Sequence, residues 1–315
     1  MKDLVIISGP TAVGKSKTAV ELAKKINGSV ISADSMQVYR GMDIGTAKIS
    51  KEEMEGVDHF LIDVLDPADD FNIVMFKQMA TEAMDSIYAA DKIPIIAGGT
   101  LFYIQSLVYD IDFDRADEMT QFREEMYDLL EKKGSGYLHD MLKEVDPFAA
   151  QKIHENDHKR VIRALEYNRQ TGGMISEHNR INSQKESPYN FCHFFLSDER
   201  EAVYQRINDR VDKMIEDGLV DEVKGLMEQG LTRDHVSMHG LGYKEMIDHL
   251  SGAYGLEEAV RLIKQGSRHY AKRQFTWARR EKDMIFIDIN SQDAVSVMIK
   301  ALNKKGITDG HHRDV

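Results

Sequence analysis

Eight residues near the start of the chain, Gly9-Pro10-Thr11-Ala12-Val13-Gly14-Lys15-Ser16, place the tightest limit on what it can fold into. They match Gly-x-x-x-x-Gly-Lys-Ser/Thr without a mismatch. An apolar run, residues 4–8, precedes them. Residues 17–26 follow, with Ala19, Leu22, Ala23 and Ile26 on one helical face. A strand that turns on glycine into a helix lets backbone N–H groups converge on phosphate oxygens, with the positive end of the helix aimed at the same anion. Lys15 then neutralises terminal phosphate charge, and the Ser16 hydroxyl suits Mg²⁺. All eight residues are therefore diphosphate-binding candidates, and the motif does not say which diphosphate.

The rest of the first hundred residues continues the alternation. Residues 29–32, 59–65 and 93–97 read as strands, and 73–89 as a helix with Phe76, Met79, Ala80, Ala83 and Ile87 in register. Asp63 resembles the end of a Walker B strand. From about 113 to 187 no strand pattern is found. Helical stripes run there instead, with Asp146-Pro147 and Asp157 as helix starts and Gly172-Gly173 as a stop. Strand patterns return at 191–196 and 284–289, around an amphipathic helix at 199–217. The expected fold is α/β, a P-loop NTPase-like core with a mostly parallel sheet flanked by helices, plus an all-helical insertion domain. The core takes residues 1–112 and 189–315, and the insertion 113–188. The tail, 306–315, reads as frayed.

Composition narrows the class. The 315 residues carry 53 acidic and 41 basic side chains, a net charge of -12, which argues against an indiscriminate polyanion binder. The deficit is local: residues 261–282 hold eight Lys or Arg against one acidic residue. A single cysteine, Cys192, excludes an internal disulfide framework and a Cys-rich zinc module, and no histidine is assigned to a metal. No apolar stretch approaches the length a bilayer needs. A reduced, cytoplasmic protein without a membrane segment is expected.

Ligands of open parallel sheets sit beyond the carboxyl ends of the strands. Asp34, just past residues 29–32, should face the P-loop as a Mg²⁺ ligand, a general base or a helix cap. Gly98-Gly99-Thr100 closes the next strand on the same side, with Thr100 as a site residue or a turn cap.

With Ile31-Ser32-Ala33-Asp34-Ser35-Met36-Gln37-Val38-Tyr39-Arg40-Gly41-Met42-Asp43 added to the P-loop, the chain closely resembles the tRNA dimethylallyltransferase family of bacterial type. Further matching blocks begin at His59, Gly98, Ile153, Arg210, Gly242 and Tyr270. Leu101-Phe102, Glu155 and Ala278 depart from the family pattern, none at a polar catalytic position. The resemblance implies transfer of the dimethylallyl group from dimethylallyl diphosphate to N6 of the adenosine immediately 3′ of the anticodon, in tRNAs reading codons that begin with U. It implies Mg²⁺ as cofactor and a monomer. Asp34 would be the general base, Thr100 would bond near the amine or the diphosphate, and Arg210 would stabilise the leaving diphosphate.

The same resemblance gives the insertion the anticodon stem-loop. Asp34, Ser35, Met36, Gln37 and Thr100 would meet the acceptor nucleotide, with Gln37 reading an adenine edge. Arg123, Lys159, Arg160 and Arg163 would meet the rest of the loop. Phe275 and Trp277 read as core rather than as stacking platforms. The alternatives are a P-loop small-molecule kinase using ATP and a non-enzymatic RNA-binding NTPase switch.

Overall fold

Leu4, Val5, Ile6 and Ile7 are fully buried. That is what a strand needs when parallel neighbours flank it and helices cover both faces. They belong to β1 (Lys2–Ser8), at the centre of the sheet in a computed structural model that describes residues 1–111, 120–281, 283–291 and 293–307. Around β1 the first unit contains α1 (Lys15–Ile26), β2 (Gly28–Ser32), β3 (His59–Phe60), α2 (Ile73–Ala89), β4 (Ile93–Gly98) and α3 (Leu101–Val108). It resumes with β5 (Tyr189–Ser197), α9 (Arg200–Glu216), α10 (Leu219–Glu228), α11 (Tyr243–Leu250), α12 (Leu256–Ala278), β6 (Met284–Asp288) and α13 (Ala294–Lys304). The second unit holds α4 (Thr120–Lys133), α5 (Ser135–Val145), α6 (Pro147–Lys152), α7 (His158–Thr171) and α8 (Ile175–Asn182).

The six strands run in the order β3-β2-β4-β1-β5-β6, and every neighbouring pair is parallel. Register decides what meets at the carboxyl edge. Ser8 lies beside Gly98 and Phe195, and Ser32 beside Ala97. The turns leaving β1, β2 and β4 therefore start from one edge, which brings the P-loop, Asp34 and Thr100 to the same side.

Residues 59–65 read as one strand, but only His59–Phe60 joins the sheet. Leu61 and Asp63 adopt φ of 61° and 54°, and the chain turns away to pair with the segment after β2. The Val64 amide donates to the Val38 carbonyl at 2.9 Å, and the Arg40 amide to the Leu65 carbonyl at 2.9 Å. Asp63 does not end a sheet strand. It meets the nearly buried Lys48 ammonium at 2.5 Å.

The two compact units span 1–108 with 188–315, and 109–187. The helical unit thus begins four residues before the expected 113 and ends one before 188. Its core is Met126, Leu138, Leu142, Val161, Ile162 and Leu165; burying each such side chain contributes about 1.5–3 kcal/mol. Asp146 caps α6 by accepting from the Ala149 amide at 2.9 Å, and it also accepts from the Ser176 amide and hydroxyl at 2.8 and 2.6 Å. Fully buried, it ties α6 to α8 as well as ending a turn. Asp157 caps α7, and Gly172 closes that helix at φ 68°. The tail beyond 307 and residues 112–119 lie outside the described residues. Among the described residues no helix is long and apolar enough to cross a membrane.

Candidate active site

The loop after β1 is shaped by close approach. A Cβ on Gly9 would lie 2.7 Å from the Leu196 carbonyl oxygen, so the chain passes β5 only as glycine. Ala12 and Gly14 follow with φ of 62° and 96°. Val13 points into the core beneath the sheet edge, which leaves its backbone as the part offered to an anion. The Lys15 ammonium donates to the Pro10 carbonyl at 2.8 Å and the Gly9 carbonyl at 3.2 Å. Burial pulls Lys15 down to about 8, Arg210 adds to the effect, and Asp34 opposes it. Gly14 and Ser16 stand exposed at the start of α1. Among the described residues no group of three His, Cys, Asp or Glu is placed to hold a metal.

Asp34 does not cap a helix, because none starts after β2. Its Oδ1 accepts from the Met36 amide at 2.9 Å, an Asx turn that fixes the carboxylate at the strand end. Its charge is felt by Lys15, Arg210 and Tyr270. With Thr11, Ser35, Met36, Arg210 and Tyr270 it lines a cavity of about 340 Å³. Arg210, from α9, donates from Nη1 to Thr11 Oγ1 and from Nη2 to the Thr46 carbonyl, each at 3.3 Å. Burial lowers its pKa, and Asp34 opposes the shift.

Thr100 immediately precedes α3, its carbonyl accepting from the Tyr103 amide at 2.9 Å. Gly98 is required by packing, since a Cβ there would meet the Ala33 carbonyl oxygen at 2.3 Å, and a Cβ on Gly99 would press on Gln274 Nε2 at 2.4 Å. Gln37 is engaged inside the protein. Its Oε1 accepts from Ser32 Oγ at 3.3 Å, and its Nε2 donates to the Thr46 and Ala47 carbonyls at 3.4 Å.

Four residues to which the sequence assigns no role in the site complete the geometry. Gln274, on α12 and 3% exposed, accepts from the Thr11 amide at 3.0 Å and donates to the Gly99 carbonyl at 2.9 Å. It joins the P-loop to the β4 turn. Tyr270, one turn earlier, donates to the same carbonyl at 3.1 Å. Burial and the Asp34 charge push its hydroxyl up to about 12, so it stays a neutral donor. Arg206 donates to the Ala12 carbonyl at 3.1 Å and pairs with Asp198 at 2.6 Å. Glu222 binds the segment at residues 43–45. The spacing of Arg206 and Arg210, and of Tyr270 and Gln274, marks one helix face each. Nothing local shows what those faces meet.

In the helical unit the expected RNA contacts divide. Arg123 grips Glu166 through Nε and Nη2 at 2.8 and 3.0 Å, and Arg163 meets the same carboxylate at 2.8 Å. Glu166 is fully buried. Burial would raise its pKa, but the two guanidinium groups outweigh that and hold it below the usual range. Lys159 and Arg160 are exposed. With Lys152, Arg163 and Arg180 they border a groove of about 620 Å³. Phe275 packs on Phe195, and half-buried Trp277 on Phe102.

Comparison with known proteins gives a consistent relation. The chain is 53% identical over 311 residues to a tRNA dimethylallyltransferase of Lachnoclostridium phytofermentans, covering 98% of this chain and 99% of that one. A full-length tRNA isopentenylpyrophosphate transferase of Bacillus halodurans superposes with a TM-score of 0.73 at 43% identity, over 97% of each chain. A eukaryotic dimethylallyltransferase solved acting on tRNA superposes with a TM-score of 0.78 at 29% identity, over 100% of this chain and 87% of that one. The family model for IPP transferase matches residues 37–281. With a P-loop, a strand-end aspartate and a buried arginine gathered at one sheet edge, and with relatives of this identity along nearly its whole length, the chain belongs to the IPP transferase family.

Proposed function

We propose that this protein transfers the dimethylallyl group of dimethylallyl diphosphate to N6 of the adenosine immediately 3′ of the anticodon, in tRNAs reading codons that begin with U. The allylic C1–O bond breaks as the N6–C1 bond forms, diphosphate leaves, and the N6 proton passes to a base. An adenine amine is a weak nucleophile because its lone pair is delocalised into the ring, so a positioned base is needed. Asp34 takes that role, fixed by its Asx turn at the rim of the cavity.

Charge developing on the leaving diphosphate is met by the P-loop amides, Lys15 and Arg210. Thr100 and Tyr270 offer hydroxyls beside the Gly99 turn. The donor chemistry fits Mg²⁺, which takes few protein ligands and is held largely by water and phosphate oxygens; Ser16 Oγ is the protein oxygen that would join it. When bound, the ion would neutralise diphosphate charge. The target base has to leave its stack to reach this cavity. Lys159 and Arg160 are the exposed cations that would contact RNA phosphate, while Arg123 and Arg163 would shape that surface by holding Glu166. The protein acts as a cytoplasmic monomer in this reading.

The observation that carries the reading is the convergence of Asp34, Lys15 and Arg210 in a chain of this family. A P-loop kinase shares the glycine loop, but the relatives named above do not support it. Incubation with dimethylallyl diphosphate, Mg²⁺ and unmodified tRNA, followed by nucleoside mass analysis, tests the proposal. Prenylated adenosine is expected. Unmodified adenosine, with ATP consumed in a parallel reaction, would refute it.

A further inference from the structure

Three successive amides, those of Asp43, Ile44 and Gly45, point at one carboxylate. Glu222 Oε2 accepts from Asp43 and Ile44 at 2.9 and 2.7 Å, and Oε1 accepts from Gly45 at 3.1 Å. A concave run of N–H groups is an anion-binding nest. Here α10, from far along the chain, fills it. The Tyr243 hydroxyl donates to Oε1 at 2.7 Å. Its ring lies so close to Gly45 that a Cβ there would meet it at 2.6 Å. Tyr243 is fully buried, and burial together with the Glu222 charge drives its pKa upward, so the hydroxyl remains a donor.

What the nest holds still is the next carbonyl. Thr46 O accepts from Arg210 Nη2 and from Gln37 Nε2. Without that carbonyl, the hydrogen bond that remains to Arg210 here is the one to Thr11 Oγ1. We infer that Glu222 is a positioning residue for prenyl transfer: it locks residues 43–45 so that the Thr46 carbonyl aims Arg210 at the P-loop. This rests on the assignment of Arg210 to the leaving diphosphate. Glutamine in its place would set an NH₂ group against an amide donor, while keeping size and shape.

The test is a double-substitution cycle. With the wild-type enzyme making prenylated adenosine, Glu222→Gln should lower kcat about tenfold or more, as misplacement of a catalytic group does. The tRNA dissociation constant should move less than about twofold. In an Arg210→Ala background the same substitution should cost less than about threefold, because the group it positions is gone. Losses that multiply would overturn the inference, as would a Glu222→Gln enzyme with wild-type kcat. If Glu222→Gln does not fold, Tyr243→Phe, which removes one hydrogen bond to the same carboxylate, takes its place in the cycle with the same outcomes. Wild-type protein that prenylates no adenosine would refute the assigned reaction instead, a result separable from failure of the cycle.

Discussion

Lys15 offers a quantitative test of how the site recognises its anion. Burial and the neighbouring Arg210 bring it to about 8, so in the free protein it is mostly charged at pH 7 and mostly neutral at pH 9. A diphosphate binds the protonated form. Affinity should therefore be full below about pH 7 and lost as pH rises through 8. Above that point the loss approaches tenfold per unit, about 1.4 kcal/mol each, and nears a hundredfold by pH 10. Because the bound anion pulls the lysine back to its charged form, binding near pH 8 should take up a proton. Calorimetry with inorganic diphosphate, without divalent metal, in two buffers of different ionisation enthalpy reads both quantities. Lys15→Met should bind weakly and lose this part of the pH dependence. Asp34→Asn should move the break to lower pH, since Asp34 is the charge that opposes the depression. Identical pH profiles for wild type and Lys15→Met would refute the assignment.

Asp34→Asn should lower turnover by about a hundredfold or more while tRNA still binds, as loss of a general base does; single-turnover nucleoside analysis beside a filter-binding titration checks it. Lys159→Ala with Arg160→Ala should weaken tRNA binding and make log K against log salt shallower, by about one unit for each phosphate no longer neutralised. Arg123→Met should instead cost about 1–3 kcal/mol of stability in urea, because it strips a partner from buried Glu166. The pKa of Glu166 is depressed, so its stabilisation is present above the ordinary value of 4.5 and lost as pH falls below it. Thermal melts of wild type and Glu166→Gln should converge at acid pH, and a constant gap would refute the link.

Much of the fold could be read from local pattern. The helix at 73–89 has the bounds its apolar period implied, and Asp146 and Asp157 cap where a side-chain acceptor precedes a helix. The P-loop was legible because its chemistry is written in consecutive residues. The apolar pattern at 59–65 does not make one sheet strand because most of the segment pairs with residues 37–40 and not with the sheet. The contacts of Gln274, Tyr270, Arg206 and Glu222 left no local signal, since a polar residue in an amphipathic helix looks the same whether it meets water or a loop far away in the chain. Arg163 reads as an RNA contact in the sequence; its pairing with a buried Glu166 three residues on is visible only in the structure.

The strand order carries a consequence for synthesis. β1 has β4 on one side and β5 on the other, and β5 begins only after the helical unit has been made. A nascent chain of about a hundred residues can already assemble β1 to β4, yet the second edge of β1 then has no partner. That edge presents a row of unpaired backbone groups along four apolar residues, the kind of surface on which chains associate wrongly. The helical unit thus sets a delay of about 80 residues of translation between opening that edge and closing it. At roughly 5–20 residues per second, that is several seconds or more before the partner strand of that edge has been made.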